Sequence, residues 1–286
     1  MKSWRQIIKR LAYWTLPKGL NDWIPVARSL IYALVPENRR ALKRNRKLHN
    51  RHAGARCFIL ATGSSICTQD LKLLKEEFCI SISNFFVHPD YSIIKPAYHC
   101  SAPYHQSITE EGWCTWIKEM MSKTGDSTLF FGLSDLKRNQ KVGVLSDRSV
   151  HYLHCGGSLA FFSKRRVDLT KQIIGPSSIL VMALYVALYM GFKRIYLLGC
   201  DHDWALHVGQ SVHCYDEKEH VLTKSGYNEW SNFDWGTNCA QQAQLWREYK
   251  AVKLIAEFCG AEIFNAAPGG LLDIFPRVKY EGLSGL

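Results

Sequence analysis

The chain has 286 residues, 47% of them hydrophobic and 12% aromatic, enough to bury a large core and enough to exclude a disordered or fibrous polypeptide. Its net charge of +11 is confined to one end: positions 1–56 hold fourteen Lys/Arg against two acidic residues, and the other 230 positions hold twenty-two against twenty-three. That distribution excludes a nucleic-acid groove across the body and gives the basicity to an N-terminal arm with a partner of its own.

The arm comes first in chain order. Over residues 4–14, Trp4, Ile7, Ile8, Leu11 and Trp14 recur at helical spacing, with Lys2, Arg5, Lys9 and Arg10 largely on the other side. This is the pattern of an interfacial amphipathic helix. Residues 23–35 are apolar but too short to span a bilayer and are interrupted by Pro25. The stretch 39–56, RRALKRNRKLHNRHAGAR, is drawn to anionic headgroups at about 1 kcal/mol per basic residue. Residues 1–55 are therefore expected to form a basic amphipathic extension on the inner face of the cytoplasmic membrane. The competing reading is a helical hairpin packed on the body or on a second copy of the chain.

A body over 56–286 follows. Strands are expected at RCFILAT, CISISNF, AYHCSAP, STLFFGL, RSVHYLHC, RIYLLGC and AEIFNAA. Helices are expected at TQDLKLLKEEF, EEGWCTWIKEMMSK, SSILVMALYVALYMGF and NCAQQAQLWREYKAVKLIAEFCG. Strands alternating with helices of this length predict an α/β, Rossmann-like domain, with a mainly parallel sheet covered on both faces. The ten cysteines, from Cys57 to Cys259, contain no CxxC pair, which argues against a metal knuckle or a disulfide framework and for a reducing, cytoplasmic setting.

In an open parallel sheet the ligand lies at the carboxyl ends of the strands, so the residues directly after each strand carry the functional signal. After the first stand Thr62, Gly63, Ser64 and Ser65, a small-residue turn whose amides and hydroxyls can face an anion or can simply turn the chain. After the second stands Asn84, either a contact to a base or sugar or a strand-end cap. Ser177 and Ser178 open the long apolar helix and can cap it with its dipole aimed at a ligand. After RIYLLGC stand Asp201, His202, Asp203 and Trp204. The Asp-x-Asp can hold a divalent ion such as Mg²⁺ or Mn²⁺ under a diphosphate, and the histidine between can act as a general base. The long irregular stretch that follows, with His207, His213, Tyr215, His220 and Tyr227, reads as a lid.

Taken in order, the GSS turn, the strand ending in Asn84, the segment GPSSILVMALYVALYMGFKRIYLLGCDHDW and the closing FNAAPGGLLDIFPRV resemble the bacterial sialyltransferases of glycosyltransferase family 42. They also resemble the related 6-hydroxymethylpterin pyrophosphokinase-like Rossmann domains of surface-polysaccharide loci. The resemblance covers roughly residues 56–275 and is most specific over 175–204. It implies a GT-A-like variant of the nucleotide-binding fold, a CMP-linked or similarly activated sugar donor and inverting transfer to a glycan hydroxyl without an obligatory metal. It further implies a place in capsule or lipopolysaccharide synthesis. Where that family carries its catalytic histidine this chain has Thr237, which cannot act as a base, so His202 is expected to take the role, with His207 or His213 as the other candidates. Tyr215 matches a tyrosine that holds the donor phosphate.

The expectation is thus a membrane-surface glycosyltransferase with Asp201, His202, Asp203 and His213 as catalytic residues. Thr62, Gly63, Ser64, Ser65, Asn84, Ser177, Ser178 and Tyr215 would face the nucleotide, and the acceptor would be a glycan or a lipid-linked saccharide. Two rivals are a Mg²⁺-dependent phosphotransferase and a non-catalytic nucleotide-sugar-binding scaffold.

Overall fold

The structure is a computed structural model and describes residues 27–104, 108–143, 145–157, 166–217, 220–224, 230 and 234–283. The amphipathic helix expected over 4–14, and Tyr227, lie outside the described residues.

Eight strands, β1 Arg56–Leu60, β2 Cys79–Ile82, β3 Tyr98–Cys100, β4 Thr128–Gly132, β5 Val150–Gly157, β6 Gln172–Ile174, β7 Arg194–Leu198 and β8 Glu262–Asn265, form one sheet. Every strand pair in it is parallel, and the spatial order is β6-β5-β4-β3-β2-β1-β7-β8. The chain lays five strands outward from β1 and then returns to set β7 on the other side of β1. The direction of winding therefore reverses between β1 and β7, where Phe58 is flanked by Cys79 and Tyr196.

The helices used below are α1 Pro36–Arg44, α2 Glu110–Lys123, α3 Leu136–Val142, α4 Ile179–Tyr189 and α5 Trp235–Phe258. Successive strand residues point to opposite faces, so both faces of β1 and β7 need cover. Cys57, Ile59, Ile195 and Leu197 face a core completed by α4 and α5. Phe58, Leu60, Tyr196 and Leu198 face a second core that includes Trp113, Trp116 and Ile117 of α2. Every residue of α4 after Ile179 is buried, so the helix has no solvent stripe and is held by burial, at about 1.5–3 kcal/mol for each large side chain.

One expectation changes, and one strand is added. The helix predicted from TQDLKLLKEEF is instead two 3₁₀ turns, Ser64–Thr68 and Leu71–Leu74. The second is capped by Asp70, whose carboxylate accepts from the Lys72 amide at 3.2 Å, and it buries Leu71 and Leu74 on the i, i+3 repeat of a 3₁₀ turn. The three-residue β6 lacks the apolar length that would mark it in sequence. β1 begins at Arg56, and the segment just before it packs on the body. Leu48 belongs to the first core and Leu42 to the second, and buried Asn45 donates to the carbonyls of Tyr152 and Leu169, both at 2.8 Å. Residues 50–54 bond to the end of α4 through Asn50 N to Tyr189 O and His52 N to Met190 O.

Candidate active site

A cavity of about 430 Å³ opens at the β1/β7 reversal, on the carboxyl edge of the sheet. That is the size of a small-ligand cleft and the position the topology predicts for one. Thr62 and Gly63 from β1, Ser83 from β2, Ser178 from the start of α4, Asp201–Trp204 from β7, His213, and Asp234, Thr237, Asn238 and Gln241 from α5 line it.

The β1 and β7 turns are bonded to each other. Gly63 N donates to Gly199 O at 2.9 Å, and Ser65 donates to Asp201 twice, its amide to Oδ2 at 3.0 Å and its hydroxyl to Oδ1. A Cβ on Gly63 would lie 2.5 Å from both Asp201 Oδ2 and Gly199 O, so glycine is required by close approach. Ser64 N donates to Val212 O at 3.1 Å and Cys214 N to Thr62 O at 2.8 Å, which straps residues 212–214 across the turn. The amides of 63, 64 and 65 all have acceptors within the protein, and what the loop turns to the cavity is Thr62 and Gly63. Ser64 is exposed and outside the cavity, and Ser65 serves to orient Asp201.

The pair Asp201 and Asp203 diverges. Asp201 is buried with both oxygens engaged by Ser65, and its carbonyl accepts from Leu271 N at 2.7 Å. Asp203 lies 3.6 Å from His207 Nε2. Among the described residues no group of three or more His, Cys, Asp or Glu is placed to hold a metal ion. The two carboxylates thus have different partners, Ser65 for Asp201 and His207 for Asp203, while both line the cavity.

His202 stands between them with φ +54°, a left-handed backbone that costs a non-glycine residue about 1–2 kcal/mol. Its ring packs against Trp204, Trp246 and Tyr249, and Nε2 lies 2.7 Å from the Tyr249 hydroxyl. Burial pushes the imidazole pKa down to about 4, so the ring is neutral at pH 7. Tyr249 is completely buried, which raises its pKa well above the usual value and keeps the phenol protonated; Ser178 Oγ bonds to the same hydroxyl. Ser178 also caps α4, accepting from Leu180 N at 3.2 Å.

Ser177 is drawn away from the cavity. Its amide and hydroxyl donate to the two oxygens of buried Glu248 at 2.8 and 2.7 Å, and Gln244 donates to the same carboxylate at 3.1 Å. A protein carboxylate thus occupies the place expected for a ligand anion. Asn84 is likewise internal, donating to the Tyr215 hydroxyl at 2.9 Å and accepting from Trp116 Nε1 at 2.8 Å. Tyr215 stacks, with nearly parallel rings 5.1 Å apart, on His213, whose Nδ1 is 3.4 Å from Thr62 Oγ1. Asn84 and Tyr215 therefore buttress the cavity through His213 and do not line it.

The missed contributors sit on α5. Asp234 caps it, accepting from Thr237 N at 2.8 Å, and Asn238 presents a buried Oδ1 with no partner among the described residues. Asn238, Leu245, Glu248, Tyr249 and Val252 share the buried stripe of this helix. Three polar residues at core spacing are a legible signal in the sequence.

No family model and no curated protein matches the chain. Among solved structures, it is similar to the sialyltransferase CstII from Campylobacter jejuni in complex with CMP-3FNeuAc, at 15% identity and a TM-score of 0.46, over 78% of this chain and 86% of that one. The same enzyme with cytidine-5'-monophosphate aligns at 15% identity and a TM-score of 0.48, over 79% and 85%. The complex of CST-II with a trisaccharide acceptor and CMP aligns at 16% and 0.45, over 78% and 85%. The strand order, and not this likeness, defines the α/β, Rossmann-like fold.

Proposed function

We propose that the chain is a glycosyltransferase that moves a sugar of the sialic-acid class from a CMP-activated donor to a hydroxyl of a glycan acceptor, with inversion. The reading draws on the order of sequence motifs over 56–275. The observation that carries it is a neutral imidazole, His202, held on a left-handed backbone in the cavity at the β1/β7 reversal. Strained backbone at a strand end is a recurrent mark of a working side chain.

In this mechanism Tyr249 accepts from His202 Nε2–H while giving its own proton to Ser178 Oγ, which leaves Nδ1 as the basic nitrogen. Nδ1 takes the proton of the acceptor hydroxyl as that oxygen bonds to the anomeric carbon; the anomeric C–O bond breaks, and its electron pair leaves with the CMP phosphate. An imidazole of pKa about 4 is a weak base, and the anionic donor phosphate beside it raises its basicity in the complex. The cavity lining among the described residues has no Lys or Arg, so the phosphate is held by neutral donors, the Thr62 and Thr237 hydroxyls, and by His213. The orphaned Asn238 Oδ1 offers an acceptor to the amino group of cytosine, and an unpaired buried acceptor costs about 1–3 kcal/mol until something pairs with it.

The experiment is a thermal-shift screen of the full chain against CMP, UDP, GDP and ATP with and without Mg²⁺, followed by CMP release from a CMP-sialic acid donor. CMP is expected to stabilise selectively, and His202→Asn to cut turnover at least 100-fold while CMP still binds. Stabilisation by ATP only with Mg²⁺ would favour the phosphotransferase, a reading weakened by the engagement of both Asp201 oxygens with Ser65. Response to no nucleotide would sink both enzyme readings.

A further inference from the structure

We propose that residues 27–34 and α1 form a docking face for the anionic surface of a phospholipid bilayer, with Leu30, Ile31 and Leu34 entering its interface. Residues 27–34 are helical, and one side of that helix is tied to the body. Ser29 Oγ is 2.9 Å from His154 Nε2, the Tyr32 hydroxyl donates to Leu133 O at 3.1 Å, and Ala33 packs on the second core. The other side leaves Leu30, Ile31 and Leu34 at 54%, 66% and 67% exposure, with Val35 exposed behind them. The other exposed large apolar residues described are scattered along the chain, whereas these are contiguous on one helix face.

Directly after this patch, α1 turns Asn38, Ala41 and Leu42 inward and leaves Arg39, Arg40, Lys43 and Arg44 exposed, followed by exposed Arg46 and Lys47. The one acidic residue of 27–55, Glu37, accepts from Gln140 at 2.6 Å. An exposed apolar helix face followed in the chain by exposed cations supplies the two signals that together hold a protein at an anionic interface. A second copy of the chain fits poorly, because a two-fold contact sets the same patch against itself and would bring these cations together. No described helix is long and apolar enough to cross a membrane, so the contact is with the surface. Leu133 directly follows β4, which puts the patch on the same edge of the sheet as the cavity. Three strand spacings separate β4 from β1, about 15 Å. The lipid contact does not rest on the reading of the cavity.

The test is co-sedimentation of the full chain with vesicles of phosphatidylcholine alone or of phosphatidylcholine mixed with the anionic phosphatidylglycerol. Binding is expected only to the anionic vesicles and is expected to weaken as salt rises. The triple variant Leu30→Ser, Ile31→Ser, Leu34→Ser, and separately Arg39→Glu, Arg40→Glu, Lys43→Glu, should each lose at least tenfold in partitioning. Both variants replace exposed side chains, so one folded variant is enough to decide. Wild-type-like partitioning in a folded variant overturns the proposal and moves the contact to the sequence before residue 27. Failure of the wild-type chain to bind anionic vesicles, or a dimer in solution that the triple variant dissociates, overturns it as well.

Discussion

His202 occupies a backbone conformation that its own side chain disfavours, and its ring sits among Trp204, Trp246 and Tyr249 with a hydrogen bond to the phenol. Tyr249→Phe removes that partner with little change in volume, and with it the group that sets the tautomer in the proposed mechanism. The expected outcome is a mixture of Nδ1–H and Nε2–H forms, read from imidazole nitrogen shifts by NMR, with a stability loss of about 1 kcal/mol. An unchanged tautomer signature would show that the hydroxyl does not set it. Gly63 is constrained by contact and not by dihedral angle: its φ is −61°, yet a methyl group there meets Asp201 Oδ2 and the Gly199 carbonyl at 2.5 Å. Gly63→Ala must therefore part the β1 and β7 turns and break the Ser65–Asp201 pair. A loss of about 2 kcal/mol or more in urea unfolding is expected, whereas Gly269→Ala, where a Cβ meets nothing within 4 Å, should be nearly silent.

Helix α5 shows what an element adds to the residues it carries. Its buried stripe places Asn238 at the cavity, Glu248 under the start of α4 and Tyr249 against His202. Glu248 receives three donors, so Glu248→Ala strands the Ser177 amide and hydroxyl at once; a loss of at least about 2 kcal/mol is expected, read as a lower urea midpoint, with Glu248→Gln retaining part of the stability. Seven of the eight strands and the long helices were legible in sequence because apolar runs and caps are local, while the three-residue β6 was not. Glu110–Lys123 falls where its pattern puts it, capped by Thr109. The strand ends were legible too, and Thr62, Gly63, Ser178, Asp201, His202, Asp203 and His213 do meet in one cavity. What the residue types could not carry is which partner each polar group finds. Ser65, Ser177 and Asn84 are ligand-like in type and position, but each is taken by a side chain 136, 71 or 131 positions away.

At the scale of the molecule, the reversal between β1 and β7 creates the cavity, and the two cores that cover the sheet bury titratable groups far from it. His99 and His151 lie on β3 and β5 with pKa values pushed down to about 3 and about 4 by burial, and His202 is pushed to about 4 for the same reason. In the unfolded chain each returns to about 6.5. Above that pH both states are neutral and the full stability is present. As pH falls below it, the unfolded chain binds protons that the native state refuses, so each histidine removes up to about 1.4 kcal/mol per pH unit until its native pKa is reached. Asp135 opposes them: burial raises its carboxyl to about 6, so below that pH the native state takes up a proton that the unfolded carboxylate, near 3.9, does not. One gain against three losses leaves a net fall. Urea unfolding is therefore expected to show stability declining steadily from pH 6.5 to pH 4, with a shallower slope in His99→Gln, which removes one of the refusing sites. A flat or rising curve over that interval would mean that these imidazoles accept protons without unfolding, and that the cavity histidine reaches water more freely than its aromatic cage implies.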